Sequence, residues 1–205
     1  MIPPATERRA LRQEMRARRR ALDADARNRA AQRLAALVAK LAAYRSARIM
    51  AAYVAIEGEM DPGPLMQQAY RDGKDLYLPL VPRERHGTLR FQPWKPNMPM
   101  RPNRVGIPEP DSDNDSGIAP EKLDLIFTPL VAFDRHGQRL GTGGGFYDRT
   151  FAFLKSGATR PLLLGLAYEF QRLEHIEAAS WDVPLNGVVT EERVYFFADN
   201  TGYAP

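Results

Sequence analysis

The sequence predicts an α/β fold: a mostly parallel sheet flanked by helices, in the three-layer manner of Rossmann-like domains, with an arginine-rich N-terminal helical segment. Three observations lead there. Short apolar runs with the length of buried strands recur along the chain and alternate with helical stretches. The strongest of them, LIFTPLVAF at 125–133, is nearly continuous in apolar residues. A glycine-rich loop follows that run and opens a helix, the arrangement by which open α/β sheets bind ligands at the carboxyl ends of their strands.

The elements follow in order. Residues 6–22 read as a helix, with Leu11, Met15 and Leu22 at helical spacing and no Gly or Pro inside. Arg8, Arg12, Arg16 and Arg19 share one of its faces. Asp23 is placed to cap a second helix, which runs to about residue 43 through Leu34, Leu37, Val38 and Leu41. Residues 49–55 form a buried strand, EGEMDP a loop, and residues 63–71 a helix with Pro62 near its start. Residues 76–81 are the next strand. Eight prolines between Pro82 and Pro120 exclude continuous regular structure there, apart from a hairpin around 89–92. After the strand at 125–133 come a helix over about 146–154 and strands at 162–167, 188–190 and 195–198. The 205 residues make one domain, 1–205, in which helices of 1–45 pack on an α/β core of 46–200.

Composition excludes several chemistries. The chain has no cysteine, hence no disulfide framework, thiolate metal site or cysteine nucleophile. Its three histidines, His86, His136 and His175, are far apart without metal-ligand spacing and read as surface or loop residues. The N-terminus lacks the apolar stretch of a signal peptide, and no apolar run approaches the ~18 residues of a membrane span. The expected location is the cytoplasm. The net charge of +4 is uneven: residues 1–48 hold 13 Lys+Arg against 4 Asp+Glu, and the remainder is net acidic. A basic N-terminal segment favours phosphate.

The most informative stretch is RLGTGGGFYDR, from Arg139 to Arg149. Gly141, Gly143, Gly144 and Gly145 let the backbone approach an anion at a helix start. The alternative is a structural tight turn. Neither the Walker A pattern nor the dinucleotide G-x-G-x-x-G is met, since Phe146 occupies the last glycine position. Tyr147 is suited to stack on a flat heterocycle, Asp148 to ligate magnesium and Arg149 to pair with phosphate. Asp148 and Arg149 also read as a plain solvated helix face.

Four stretches together resemble the 5-formyltetrahydrofolate cyclo-ligase family. RRALR is similar to its N-terminal K-x-x-L-R, with Arg8 and Arg12 at the basic positions. YVAIEGEMDP is similar to its strand and substrate-contacting glutamate, with Glu59 at that glutamate and Val54 at a lining position. DLIFTPLVAFDRHGQRLGTGGGFYDR carries the rare R-L-G-x-G-x-G-[FY]-Y-D pattern. WDVPLNGVVTEERV is similar to its C-terminal D-x-x-[VL]-[DN]-x-V-[VI]-T-E, with Asp182 at an aspartate associated with magnesium. The chain departs from the family where Arg8 replaces a lysine, Gly144 stands where many members have a lysine, and Asn186 stands where aspartate is common.

The resemblance implies an ATP- and Mg2+-dependent closure of 5-formyltetrahydrofolate to 5,10-methenyltetrahydrofolate. ATP phosphorylates the formyl oxygen, N10 attacks the carbon, and phosphate leaves. It implies ATP contacts from Arg8, Arg12, Arg139, Leu140, Gly141, Thr142, Gly143, Gly144, Gly145, Phe146 and Tyr147. Folate contacts are expected from Val54, Glu59, Thr142, Gly143, Gly144, Gly145 and Phe146. Asp148 and Asp182 are expected to hold Mg2+, and Tyr147 and Arg149 to act in catalysis. With Gly144 in place of lysine, Arg139 and Arg149 are the nearest substitute cations. Asp148→Ala is expected to affect turnover far more than folding. Trp94 is read first as core or loop packing and second as a pocket aromatic. The expected partners are small molecules, with no nucleic acid and no membrane, and the expected state is a monomer. The alternatives are a sugar-phosphate isomerase or CoA-transferase-like enzyme on a similar fold, a non-catalytic folate binder, and a nucleic-acid binder using the seven arginines between Arg8 and Arg20.

Overall fold

The computed structural model describes residues 5–82, 84, 86–104, 106–111 and 117–197. One seven-stranded sheet organises it, in the order β11-β10-β9-β6-β1-β2-β3. Its five central strands are parallel: β1 (Ile49–Ala51), β2 (Asp75–Leu80), β6 (Leu125–Pro129), β9 (Leu162–Leu166) and β10 (Gly187–Val189). The edge strands β3 (Arg90–Trp94) and β11 (Val194–Phe196) run antiparallel to their neighbours. β4 (Met100–Pro102) and β5 (Pro108–Pro110) form a separate hairpin within the proline-rich stretch. The α/β reading of the sequence therefore holds.

The sheet has a core on each face. On one side, α2 (Ala24–Val38), α3 (Ala42–Ser46) and α4 (Gly63–Arg71) bury Leu34, Val38, Tyr44 and Leu65 against Met50, Leu125 and Leu164. On the other side, Phe91, Phe133, Phe151 and Leu163 pack beneath α5 (Phe146–Thr150). Alternate residues of one strand therefore serve opposite faces: Leu125 and Phe127 one, Ile126 the other.

α1 (Ala5–Ala21) packs on neither face. Its Met15, with Leu11, meets Val131, Ala132, Leu140 and Ile176 in a third, smaller cluster. No helix among the described residues is long and apolar enough to cross a membrane.

Several boundaries differ from the sequence reading. The second helix stops at Val38, because Leu41 turns to an extended conformation (φ −72°, ψ 136°) and starts α3. The strand expected over 49–55 ends at Ala51, and the run to Ala55 serves the site instead. The apolar run 125–133 is two strands. β6 ends at Pro129, which has no amide hydrogen to continue a ladder. β7 (Ala132–Phe133) then pairs with β8 (Arg139–Leu140). Gln171 Nε2 covers the break by donating to the carbonyls of Leu130 (3.0 Å) and Val131 (2.8 Å). The helix expected over 146–154 is α5 followed by a 3-10 turn at Ala152–Ser156. Thr150 Oγ1 donates back to the Phe146 carbonyl (2.7 Å) while accepting from the Leu89 amide (2.8 Å), a side-chain bond of the kind that competes with helix continuation. Of the last predicted strand, residue 198 lies outside the described residues.

Asp124 anchors the start of the central strands. Its Oδ2 accepts from the Arg48 and Ile49 amides, both at 2.9 Å, and its Oδ1 accepts from Arg160 Nη1 at 2.9 Å. Burial pushes its carboxyl up, but the two amides and Arg160 outweigh this and hold it below its ordinary value. The stabilisation is therefore present above the ordinary aspartate range and fades as pH falls through the lower folded value. Asp124→Ala is expected to lose about 1–2 kcal/mol in urea unfolding at neutral pH, with the gap to the parent narrowing in acid.

Candidate active site

The glycine loop leaves β8, not the central strand directly, so it is carried by the short β7–β8 hairpin. Gly143 (φ +109°) and Gly145 (φ +65°) take left-handed conformations that side chains rarely adopt. Gly145 is also the N-cap of α5, and a Cβ there would lie 2.7 Å from Arg149 Nη1. A Cβ at Gly144 would meet the Phe146 ring at 2.8 Å, so a larger residue requires that ring to move. The Arg149 guanidinium stands over the same ring, 5.0 Å from its centre.

Helix α1 presses its arginine face onto this loop. Arg12 Nε donates to the Gly141 carbonyl at 2.9 Å, and its guanidinium lies 3.8 Å from the Cβ position of Gly143. Arg8 donates to the Glu177 carbonyl and stands 3.7 Å from Asp182 Oδ2. Burial, then the charges of Arg8 and Arg16, lower the Arg12 pKa from its ordinary value. Cations crowded in this way favour an anion between them.

Glu59 enters from the opposite side. Beyond β1 the chain makes a turn closed by the Glu59 amide donating to the Ile56 carbonyl (2.9 Å), with Glu57 at φ +48° and Gly58 at φ +73°. The Glu59 carboxylate is 5% exposed and accepts from the Ile56 amide at 3.3 Å. It lies at the wall of a cleft of about 260 Å³, which is lined by Tyr53, Val54, Leu78, Phe146, Tyr147 and the glycine loop. Burial pushes the Glu59 carboxyl up, and Arg19 opposes that shift. Burial, followed by the charge of Glu59, pushes the Tyr147 hydroxyl up, so it stays a hydrogen-bond donor at neutral pH.

Asp148 and Asp182 meet through Val183. Asp148 Oδ1 accepts from the Val183 amide (3.2 Å) and from Arg139 Nη2 (2.6 Å), while Arg139 Nη1 donates to the Val183 carbonyl (2.6 Å). Asp182 Oδ2 accepts from the Ala179 amide at 2.8 Å. Among the described residues no group of three or more His, Cys, Asp or Glu can hold a metal. Two carboxylates already matched to arginines fit a Mg2+ that arrives with phosphate oxygens and water, not one caged by protein alone. His86, His136 and His175 are exposed.

The loop thus separates two depressions that share Gly145, Phe146 and Asp148 as a wall. The second, of about 620 Å³, is lined by Gly143, Gly144, Arg149, Lys155 and the exposed Trp181. A third, of about 650 Å³, continues past Glu59 to Arg27, Asn28 and Trp94, so Trp94 does line a pocket. Leu140 is apart from the rest: its side chain is buried against α1, and its carbonyl accepts from the Val131 amide at 2.7 Å. Sequence reasoning missed Tyr53, Arg19 and Arg104. Tyr53 hid in an apolar run, Arg19 among exposed arginines, and Arg104 in the proline-rich stretch, which reaches the cleft.

The chain matches the model of the 5-formyltetrahydrofolate cyclo-ligase family over residues 4–191. It is 38% identical to the 5-formyltetrahydrofolate cyclo-ligase of Escherichia coli (strain K12) over 181 residues, 88% of this chain and 98% of that protein. It is also 38% identical to the cyclo-ligase of Haemophilus influenzae over 180 residues, 87% and 95% of the two chains. Its fold matches the solved Aquifex aeolicus 5,10-methenyltetrahydrofolate synthetase with a TM-score of 0.78 at 30% identity, covering 94% of this chain and 93% of that one.

The Arg139–Asp148 pair changes what a substitution at Asp148 should do. Arg139 has a side chain only 5% exposed and would be left without its acid partner. Asp148→Ala is therefore expected to lose about 3 kcal/mol of stability in urea unfolding as well as turnover. Asp148→Asn, which keeps an acceptor for Arg139, should lose clearly less stability.

Proposed function

The chain belongs to the 5-formyltetrahydrofolate cyclo-ligase family, and from that premise we propose that it closes 5-formyltetrahydrofolate to 5,10-methenyltetrahydrofolate with ATP, releasing ADP and phosphate. The observation that carries this reading is the shared wall at Gly145, Phe146 and Asp148, with a buried carboxylate in an apolar cleft on one side and a cation-lined loop on the other. Two substrates held there meet across the loop.

The chemistry explains why both are needed. The formyl carbon on N5 is a poor electrophile, because the amide nitrogen donates into the carbonyl, and its oxygen is a poor leaving group. Transfer of the γ-phosphoryl group to that oxygen breaks the bond to ADP and forms a C–O–P linkage. N10 then attacks the carbon, the C–O bond breaks, inorganic phosphate leaves, and N10 gives up its proton. Such a sequence asks the protein for positioning and charge neutralisation, not for a nucleophile.

Each residue has a place in this scheme. The backbone of Leu140 to Gly145, with Thr142, cradles phosphate, and Arg8 and Arg12 neutralise it from α1. Arg139 is tied to the Val183 carbonyl and Asp148, so its part is to hold the loop and Asp148 in place. Arg149, leaning on Phe146 against Gly145, is the cation assigned to the transferred phosphoryl group in place of a loop lysine. Val54, Phe146 and Tyr147 enclose the folate rings, and the Tyr147 hydroxyl donates a hydrogen bond. Glu59 accepts from the pterin N–H groups. Asp148 and Asp182 would hold Mg2+, which when bound neutralises phosphate charge. We propose that the protein acts as a monomer. We propose that it acts in the cytoplasm, on small molecules.

The test is direct: purified protein, 5-formyltetrahydrofolate, ATP and Mg2+ are mixed, and methenyltetrahydrofolate absorbance is followed in the near ultraviolet. Signal that needs all three components is expected; its absence from folded protein would overturn the reading. Arg12→Ala should raise the apparent KM for ATP on the order of tenfold, and unchanged ATP kinetics would remove Arg12 from the site.

A further inference from the structure

Arg19 is 0% exposed, yet Nε, Nη1 and Nη2 of its guanidinium all lack a hydrogen-bond partner. Buried charges are ordinarily paired and hydrogen-bonded, so a side chain of this kind calls for an explanation. Its acidic neighbour is Glu59, whose Oε1 lies 3.6 Å from Nη1. That separation is longer than a hydrogen bond. The pair therefore attracts through charge, and no Arg19 hydrogen bond occupies the Glu59 oxygens.

The backbone holds the two elements in register. A Cβ on Gly58 would lie 3.2 Å from the Arg19 carbonyl oxygen, so the turn that presents Glu59 sits directly on α1. Arg16 Nε steadies the same turn at 3.3 Å from Glu57 Oε2. We infer that Arg19 is a positioning residue for the folate, keeping the Glu59 carboxylate charged and aimed into the cleft for the pterin N–H groups. This rests on the reading of Glu59 as the folate-contacting carboxylate. It also makes α1 a shared support, since Arg12, two helical turns earlier on the same face, reaches the glycine loop.

The surrounding charges set the direction of the effect. Glu59 is faced by Arg19 and Arg16 from α1, by Glu57 from its own turn, by Tyr53 from the segment after β1 and by Tyr147 from α5. Burial pushes its carboxyl up; Arg19 is the largest opposing influence, followed by the Ile56 amide. Without Arg19 the carboxyl protonates at higher pH, and a protonated carboxyl is a poorer acceptor. Folate binding should then weaken as pH falls.

The experiment is equilibrium binding of 5-formyltetrahydrofolate without ATP, from pH 5 to 8, by the parent protein and by Arg19→Met, Arg19→Gln, Arg19→Lys, Glu59→Gln and the Arg19→Met/Glu59→Gln double variant. Arg19→Met is expected to weaken binding by about tenfold or more at pH 7, with the loss growing in acid. Arg19→Lys should recover most of the affinity and the flatter parental profile. Adding Arg19→Met to Glu59→Gln should change little further. If Arg19→Met does not fold, Arg19→Gln, polar but uncharged, must show the same shift. Parental affinity and pH profile in a folded, uncharged Arg19 variant would overturn the inference, as would full additivity in the double variant. No binding by the parent protein would overturn the folate reading and this inference with it. Parental binding with indifferent Arg19 variants would overturn this inference alone.

Discussion

Four arginines turn inward from helix α1, and a guanidinium can be buried only where its charge is answered. Arg8 and Arg12 find carbonyls and the glycine loop, Arg16 finds Glu57, and Arg19 finds Glu59. An apolar helix face would pack wherever apolar surface is offered. This face is half apolar, with Leu11 and Met15 seating it on the β7–β8 hairpin, and half cationic. The apolar half fixes where the helix lies. The cationic half makes its position matter, because it meets the glycine loop and the Glu59 turn at once. An element outside the central sheet thereby connects two segments distant in sequence.

The sheet supplies the frame for that meeting. Its parallel central strands are buried on both faces, so their register tolerates little slippage. Asp124 ties β1 to the start of β6, and the segments following those strands, the Glu59 turn and the hairpin with the glycine loop, emerge side by side. The loop itself is shaped by left-handed glycines and by Phe146, whose ring fills the space beside Gly144. A loop braced in this way presents its backbone amides without a large rearrangement at the moment of phosphoryl transfer, which is what electrostatic preorganisation requires.

Charge pairing gives some site residues two tasks. Arg139 and Asp148 bind one another while also bordering the cleft. Asp182 caps the Ala179 amide and neighbours Arg8. Such groups hold the loop and, in the proposed reaction, also hold phosphate and metal, so their structural and catalytic contributions are coupled.

The alternation of apolar runs and helices, the glycine-rich turn and the arginine stripe were all legible in the sequence. Each is a local pattern: strand burial shows as apolar runs, left-handed turns demand glycine, and a helix face shows as a period of 3.6 residues. The same logic found the Arg139 to Arg149 stretch, whereas Glu59 was found only through a family resemblance spread over four short motifs. What local pattern lacked was direction. Nothing in RRALRQEMRARRR says that Arg19 is buried while Arg18 and Arg20 are exposed, because that depends on which surface the helix meets. The division of 125–133 into two strands, the engagement of Asp148 by Arg139 and the place of Trp94 and Arg104 around the clefts likewise arise from contacts between segments far apart in the chain. Burial and charge pairing are properties of neighbours, and only the tertiary structure decides who the neighbours are.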